Sequence, residues 1–487
     1  MKSPTRRSFF RRTGLYVLGL PFVHLRKQLL GPGKDDPSLV YFTNGIKVTE
    51  LRSHSAIIWT RLCAQMHPVP VRHERVDKGG TDFPVAFNED MPVHEMDGAV
   101  PGISGEVRLI VHGAGKKTTT EWFPARESHD FTVHIPIRRL DAASHYTVIV
   151  EGRQSSSDKI NRLTGEFRTP PIDTAVAPVL LATSTCQYFW NYDDAERGYQ
   201  SYDSMRRMKP DLFVQTGDYI YYDRPGPMAT TVEKARHKWH AMNSWPSLRT
   251  FFQSTPIYML KDDHDLLSDD AWKETKPLGE LTYTDGLKLW RENVPLEDKP
   301  YRTFRWGQDL QIWLVESREF RHQHQDIPAA ERSIWGDEQK AWFEKTVKES
   351  DATFKILISP MPVVGPDREK KADNHSNSRF QTEGEWVRNF ISDQKNMYIV
   401  NGDRHWQYVS KDINRDLWEF GSGPVSDAHA GGWKSDDVRP EHRFLRVKGG
   451  FLTVEVDRKE DTPFIEFTHY DVSGNPLHRE QFSETIR

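Results

Sequence analysis

Between residues 40 and 171, apolar and polar positions alternate in short runs: VYFTNGIKVTELRSHSAIIWTRL at 40–62, TVHIP at 132–136, YTVIVEG at 146–152 and GEFRTPP at 165–171. A period of two, with turn residues between runs, predicts half-buried antiparallel strands. Together they predict an all-β sandwich over residues 38–172. The stretch from His67 to Gly105 is rich in Pro, Gly and charge and reads as a long surface insertion. From Pro178 the pattern changes. VLLATST (179–185), DLFVQT (211–216), PIYML (256–260), LQIWLV (310–315), FKILIS (354–359) and MYIVN (397–401) are short apolar runs, as expected of strands covered on both faces. Between them, Ala195 to Met208 sets Tyr199, Tyr202 and Met205 on one helical face, and Gly336 to Glu349 is a second helical candidate. Alternating strands and helices predict an α/β domain over 177–487. Two long alternating runs at 444–457 and 463–474 are expected to close an edge of its sheet.

Composition narrows the class without naming a function. At 487 residues the chain exceeds one ordinary core. Its 66 Lys plus Arg nearly balance 70 Asp plus Glu, so charge carries no nucleic-acid-binding signature. With only Cys63 and Cys186, no disulfide framework holds the fold. TRRSFFR at 5–11, followed by a weakly apolar run from Gly14 to Val23, resembles a twin-arginine export signal over residues 1–33. The run falls short of the ~20 apolar residues of a membrane span. Passage through the twin-arginine export machinery would deliver a folded protein to the periplasm or the exterior. No A-x-A-like cleavage site precedes His24, Leu25, Arg26 and Lys27, so an uncleaved signal would instead hold the protein at the membrane.

The chemistry lies immediately after the apolar runs. VLLATST is followed by Cys186, DLFVQT by Gly217-Asp218-Tyr219-Ile220-Tyr221, and PIYML by Lys261-Asp262-Asp263-His264-Asp265. LQIWLV is followed by Glu316-Ser317-Arg318 and MYIVN by Gly402-Asp403-Arg404-His405. Open α/β sheets place their sites at such strand ends. Asp218, Asp263, Asp403 and His405 form an oxygen-rich set suited to hard divalent ions or iron. Cys186 and Tyr221 add a thiol and a phenol, and a phenol surrenders its proton more readily to a ferric ion than to magnesium. Read separately, Gly-Asp is also an ordinary turn, Cys186 a small core residue, and Tyr221 a ring packed beneath a site.

Taken in order, TCQ (185–187), GDYIYYD (217–223), DDHD (262–265), ENVP (292–295), SREF (317–320), WGDEQKAWF (335–343) and GDRH (402–405) resemble the motifs of the alkaline phosphatase D family of calcineurin-like metallophosphoesterases. The resemblance extends to AIIWTRL at 56–62 and to the export signal, and so spans most of the chain. It implies a layered α/β (α+β) metallophosphoesterase fold with a mixed β core behind the all-β sandwich. It also implies hydrolysis of small-molecule or polymer phosphoesters, monoester or diester, by a metal-bridging hydroxide. Cys186, Asp218, Tyr221 and His405 would hold a ferric iron. Asp218 would bridge to a second ion, calcium or another divalent metal, also bound by Asp263, Asn293 and Asp403. Arg224 and Arg318 would bind the phosphate, and His264 would protonate the leaving group or orient the phosphate.

Three segments depart from the family pattern. Ser268, Asp269 and Asp270 stand where the family commonly has paired asparagines, and 373–379 (DNHSNSR) and 427–433 (DAHAGGW) are unlike its best-described members. Asp373, His375, Asp427 and His429 therefore read equally as pocket or loop residues. Two other functions stay open on sequence alone: an exported, catalytically silent binding protein, and a hydrolase of another ester such as sulfate.

Overall fold

The computed structural model describes residues 35–75, 86–322 and 326–484. The twin-arginine-type segment lies outside the described residues. The described residues form one compact unit, and no helix among them is long and apolar enough to cross a membrane.

Each predicted apolar run of the second half is a strand, but the strands belong to two sheets rather than one. The first has the order Ile257–Leu260, Leu212–Thr216, Val179–Ser184, Phe451–Lys459, Thr462–Tyr470 and Pro476–Ser483. Its first three strands are parallel, and Phe451–Lys459 joins them antiparallel, with Val454 opposite Leu181. The second has the order Arg302–Trp306, Leu310–Leu314, Phe354–Ser359, Met397–Asn401, Trp418–Gly421, Gln407–Lys411 and His442–Arg446. The single run expected at 444–457 breaks at Gly449 and Gly450, so its halves serve different sheets. A Cβ at Gly450 would lie 2.0 Å from the Tyr470 carbonyl oxygen, so no side chain fits this crossing.

Alternation along each strand explains the layers. Leu181, Leu212, Val214, Ile356, Ile358 and Val400 point into one shared apolar cluster between the sheets. Their neighbours Ala182 and Phe213 face outward onto Tyr202, Met205 and Phe251 of the helices Gln200–Met208 and Pro246–Phe252. On the opposite side Leu357 and Ile399 face Phe343, Val347 and Ile391 of Gly336–Lys348 and Gln381–Ser392. The result is a helix, sheet, sheet, helix stack in which strands are covered on both faces, each fully buried large apolar side chain contributing about 1.5–3 kcal/mol. Phe420 and Phe467 mark the centre, stacked at 3.8 Å across the sheets.

Ahead of this stack the chain forms two antiparallel sheets, Ile46–Arg52, Ser55–Arg61 and Thr132–Arg138 in one, and Lys116–Thr119, Gly105–Gly113, His145–Arg153 and Asn161–Arg168 in the other, with Phe123–Ala125 on Gly105–Gly113. Val48, Ile58, Leu109 and Val150 belong to the same apolar cluster as the stack, so the core is continuous across Pro170 and Pro171. Hydrogen bonds reinforce that junction: Arg302 Nε to Glu50 Oε1 (2.8 Å), Trp59 Nε1 to Glu292 O (3.0 Å) and Tyr258 Oη to Leu51 O (2.6 Å). The region 67–105 is not simply a surface excursion. Met96 to Val100 are buried, and a Cβ on Gly98 would meet Ala241 at 2.7 Å. Glu89 accepts hydrogen bonds from the backbone N–H groups of Gly226 and Met228, beside GDYIYYD.

Candidate metal centre

Three strand ends leave their sheets through the same unusual backbone. Cys186, Asp218 and Asp403 have φ of 45°, 57° and 63°, a left-handed conformation that costs a non-glycine residue energy and clusters at functional turns. Glycines allow the ends to approach one another. A Cβ on Gly217 (φ 106°) would lie 2.8 Å from Asp262 Cβ, and one on Gly402 would lie 2.4 Å from Thr216 O. Asp265 fastens the turns together, accepting N–H bonds from Asp218 (2.8 Å), Tyr219 (2.9 Å), Ile220 (3.1 Å) and Asp262 (2.9 Å). Its place in DDHD was visible in the sequence; this stapling role was not.

The fastened ends bring side-chain donors together in two groups that share Asp218, neither of which includes Asp403. In the first, Asp218 Oδ2 lies 3.5 Å from Cys186 Sγ and 3.0 Å from Tyr221 Oη, and Tyr221 Oη lies 3.3 Å from His405 Nε2. In the second, donor atoms of Asp218, Asp263 and His264 lie within 4.8 Å of one another, and Asp269 and Asp270 approach Asp263 as closely. Among the described residues, Asp218 Oδ1, Asp262 Oδ2, Asp263 Oδ1 and Asp373 Oδ2 are buried without a hydrogen bond, while Asp403 Oδ2 is ion-paired at 2.7 Å with Arg404 Nη1. Buried carboxylate oxygens are ordinarily satisfied, and leaving them otherwise is costly. Hard-oxygen donors beside thiol, phenol and imidazole therefore fit multivalent cations, with Asp218 between them.

Electrostatics points the same way. Burial pushes the carboxyl of Asp218 well above its usual range, reinforced by Asp263, Asp262 and Asp265. Burial likewise lifts Asp403 to about 6, and it raises Cys186 and Tyr221 well above their ordinary values, with Asp218 adding to both. Crowded, desolvated acids of this kind reverse when a cation shares the site. His264 has the opposite sense: burial opposes its charge, yet Asp223, Asp263 and Asp218 hold the imidazolium well above the usual range. Its Nδ1 is 2.7 Å from Asp223 Oδ1, which orients the ring.

The remaining expected residues divide. Arg318 is fully enclosed among the acids. Its Nε bonds Asp262, its Nη2 lies 3.5 Å from Asp263 Oδ1 and 3.9 Å from Asp373 Oδ2, and Nη1 and Nη2 lack hydrogen bonds. Arg224 is half-buried beside GDYIYYD, its carbonyl accepting from Lys238 Nζ at 2.8 Å and its charge acting on Asp223 and His429. Asn293 ends the helix Tyr283–Asn293; its Nδ2 bonds Leu289 O at 3.0 Å, while Oδ1 is buried without a hydrogen bond.

Of the four residues the sequence left open, two join the site. Asp373 packs 3.6 Å from Arg404 Nη2 and near Arg318, and His429 Nε2 is 3.0 Å from Tyr221 Oη. His375 instead pairs with Glu383 at 3.0 Å, and the exposed Asp427 accepts from Gly449 N at 2.9 Å. Lys371 is a further member, 2.8 Å from Asp270 Oδ1 and 3.3 Å from Asp269 Oδ1. No spacing signal marks it, because loop 365–377 reaches the site only through the fold. Cys63 and Cys186 are both free thiols, in different parts of the molecule.

Two mixed sheets packed face to face between helices, with acids and imidazoles on the strand ends, define a metallophosphoesterase-like fold. A purple acid phosphatase from yellow lupin (Lupinus luteus) seeds shares it at a TM-score of 0.60 and 8% identity, over 90% of this chain and 73% of that one. The family model for PhoD-like phosphatase matches residues 181–458, and the chain belongs to that family. A solved structure of PhoD superposes with a TM-score of 0.68 at 18% identity, covering 91% of this chain and 90% of that one. Alkaline phosphatase D of Bacillus subtilis (strain 168) is 22% identical over 416 residues, 76% of this chain and 65% of the relative's own length.

Proposed function

We propose that the protein is a metal-dependent hydrolase of phosphoric esters, acting through the centre built on Asp218. The observation that carries this reading is the meeting at that carboxylate of Cys186 and His405 on one side and Asp263 on the other, with buried acid oxygens lacking hydrogen bonds around it. Membership of the PhoD-like phosphatase family supports it, as does the similarity to alkaline phosphatase D.

Cys186, Asp218, Tyr221 and His405 would hold a ferric iron, the thiol and phenol being its distinguishing donors. Asp218, Asp263 and Asp403, with Asn293 as a further oxygen donor, would hold calcium or another hard divalent ion. Ions held there supply a Lewis-acidic grip on phosphoryl oxygens and a water acidic enough to attack phosphorus.

The chain's own residues do the rest. Arg318 ties Asp262 and Asp263 into one rigid acidic wall. Arg224 offers the phosphate a guanidinium from the rim. His264, kept protonated by Asp223, donates its proton to the departing alkoxide, and Asp223 receives the ring N–H that holds it in place. The substrate is a phosphomonoester or phosphodiester that reaches the protein after twin-arginine export, for which TRRSFFR at 5–11 is the support.

The test is turnover of aryl phosphate monoesters, diesters and sulfates by one metal-analysed preparation, alongside Asp218→Asn and His405→Ala. Phosphate-ester turnover that both variants lose, with metal content falling and folding preserved, supports the reading. Retained turnover in either variant, or a preference for the sulfate, refutes it.

A further inference from the structure

His429 is a buried titratable group next to the centre to which the proposed chemistry gives no task. It sits in a single helical turn, Asp427–His429, 3% exposed, in a loop fixed from several sides. Its own N–H bonds Ser426 O, Ser426 Oγ bonds Asn191 O at 2.6 Å, and Gly431 N bonds His405 O at 3.0 Å. The ring stands 4.3 Å from that of His405 and 5.1 Å from that of Tyr221.

Both ring nitrogens are engaged, and the two contacts together fix where the proton lies. Nδ1 is 2.7 Å from Asn191 Nδ2, which can only donate, so Nδ1 accepts. A neutral ring accepting at Nδ1 carries its proton on Nε2, and Nε2 is the atom 3.0 Å from Tyr221 Oη. The phenol oxygen, 3.0 Å from Asp218 Oδ2 on its other side, has a lone pair to accept that proton.

We infer that His429, locked in this tautomer by Asn191, is a positioning residue that donates a hydrogen bond to the Tyr221 oxygen and tunes it as an iron ligand. The inference rests on the reading of Tyr221 as a ligand. A donor to a phenolate stabilises its charge and draws electron density from it. That anchors the ligand, lowers its filled orbital and widens the gap for charge transfer to the ion. The loop 427–433 thereby reaches the centre through the Tyr221 oxygen.

The experiment loads wild type, Tyr221→Phe, His429→Gln and His429→Met with ferric iron, with folding checked by circular dichroism. It reads the visible absorption band and the iron retained against a chelator series. Gln and Met are similar in length and differ in whether they offer an N–H. The expected result is a band present in wild type and lost in Tyr221→Phe. The band should move to longer wavelength in His429→Met, with roughly 10- to 100-fold weaker iron retention, and His429→Gln should stay close to wild type. If His429→Met does not fold, His429→Phe takes its place as the variant without a donor. Wild-type band position and retention in the donor-less variant overturn the inference while leaving Tyr221 as a ligand. The lack of any Tyr221-dependent band in wild type overturns the ligand reading and the inference with it.

Discussion

Two buried arginines show how differently this chain treats charge in its two halves. Arg61, in the amino-terminal sheets, bonds Asp130 through Nε and Nη2, and Asn44 and Val100 through Nη1, at 2.8–3.2 Å. His240 closes the far side of Asp130. Arg318, among the strand-end acids, bonds Asp262 through Nε and leaves Nη1 and Nη2 without hydrogen bonds, facing acid oxygens in the same condition. The first is a finished structural network, and the second leaves buried donors and acceptors without hydrogen bonds. A buried ion pair says little about function until its hydrogen bonds are accounted for.

That contrast is most sharply broken at Asp218. Asp218→Asn should lower phosphate-ester turnover about 10³-fold or more, since several kcal/mol of charge stabilisation passes through the metals and each 1.36 kcal/mol is tenfold. Chelator-treated variant and wild type should melt alike or with the variant higher, because a neutral amide replaces a buried acid. Calorimetry and steady-state assays together check this. Arg61→Met should do the reverse, costing about 3–5 kcal/mol in denaturant unfolding by stranding Asp130, with turnover per folded molecule unchanged.

Lys47 sharpens the structural side. Its Nζ is buried without a hydrogen bond, 4.4 Å from the Trp59 ring and 5.3 Å from that of Tyr219. Burial lowers its pKa from 10.5 to about 7. Because the unfolded chain binds the proton more tightly, the destabilisation is full below pH 7 and is relieved as pH rises from 7 to 10.5. Lys47→Met should therefore stabilise by about 2–3 kcal/mol at pH 6, after allowing ~2 kcal/mol for the cation–π contacts. The gain should fade by pH 10 in melting curves.

The smallest expected effect is at Asp223. Asp223→Asn should reduce kcat roughly 10- to 100-fold. It should also move the alkaline limb of the pH–rate profile to lower pH, since His264 loses the carboxylate that raises its pKa. An unmoved limb would show that another group supplies the proton.

Much of this was written locally. Continuous apolar runs correspond to the strands Val179–Ser184 through Met397–Asn401, and the residues after them supply the donors gathered at the centre. The two-sheet division was not legible, because Leu212–Thr216 and Phe354–Ser359 are apolar on both faces whether a helix or another sheet covers them. Nor was the split of 444–457, since Gly449 and Gly450 read equally as a turn within one sheet. In the site, Cys186, Asp218, Tyr221, Asp263 and His405 announce themselves by position. Lys371 and Asp373 lie in a loop whose composition resembles any polar connection.

The sequence by itself determined the strand periods, the glycines that let strand ends converge, and the chemical identity of each donor, because these depend on residues near one another in the chain. Only the tertiary structure decided that Asp218 stands between two clusters of donor side chains, that Arg318 faces acids, and that His429 meets Tyr221 while His375 does not. These are separations of a few ångströms between residues as far apart in the chain as Cys186 and His405, and local pattern carries no information about them. What brings them together is the packing of two sheets against each other.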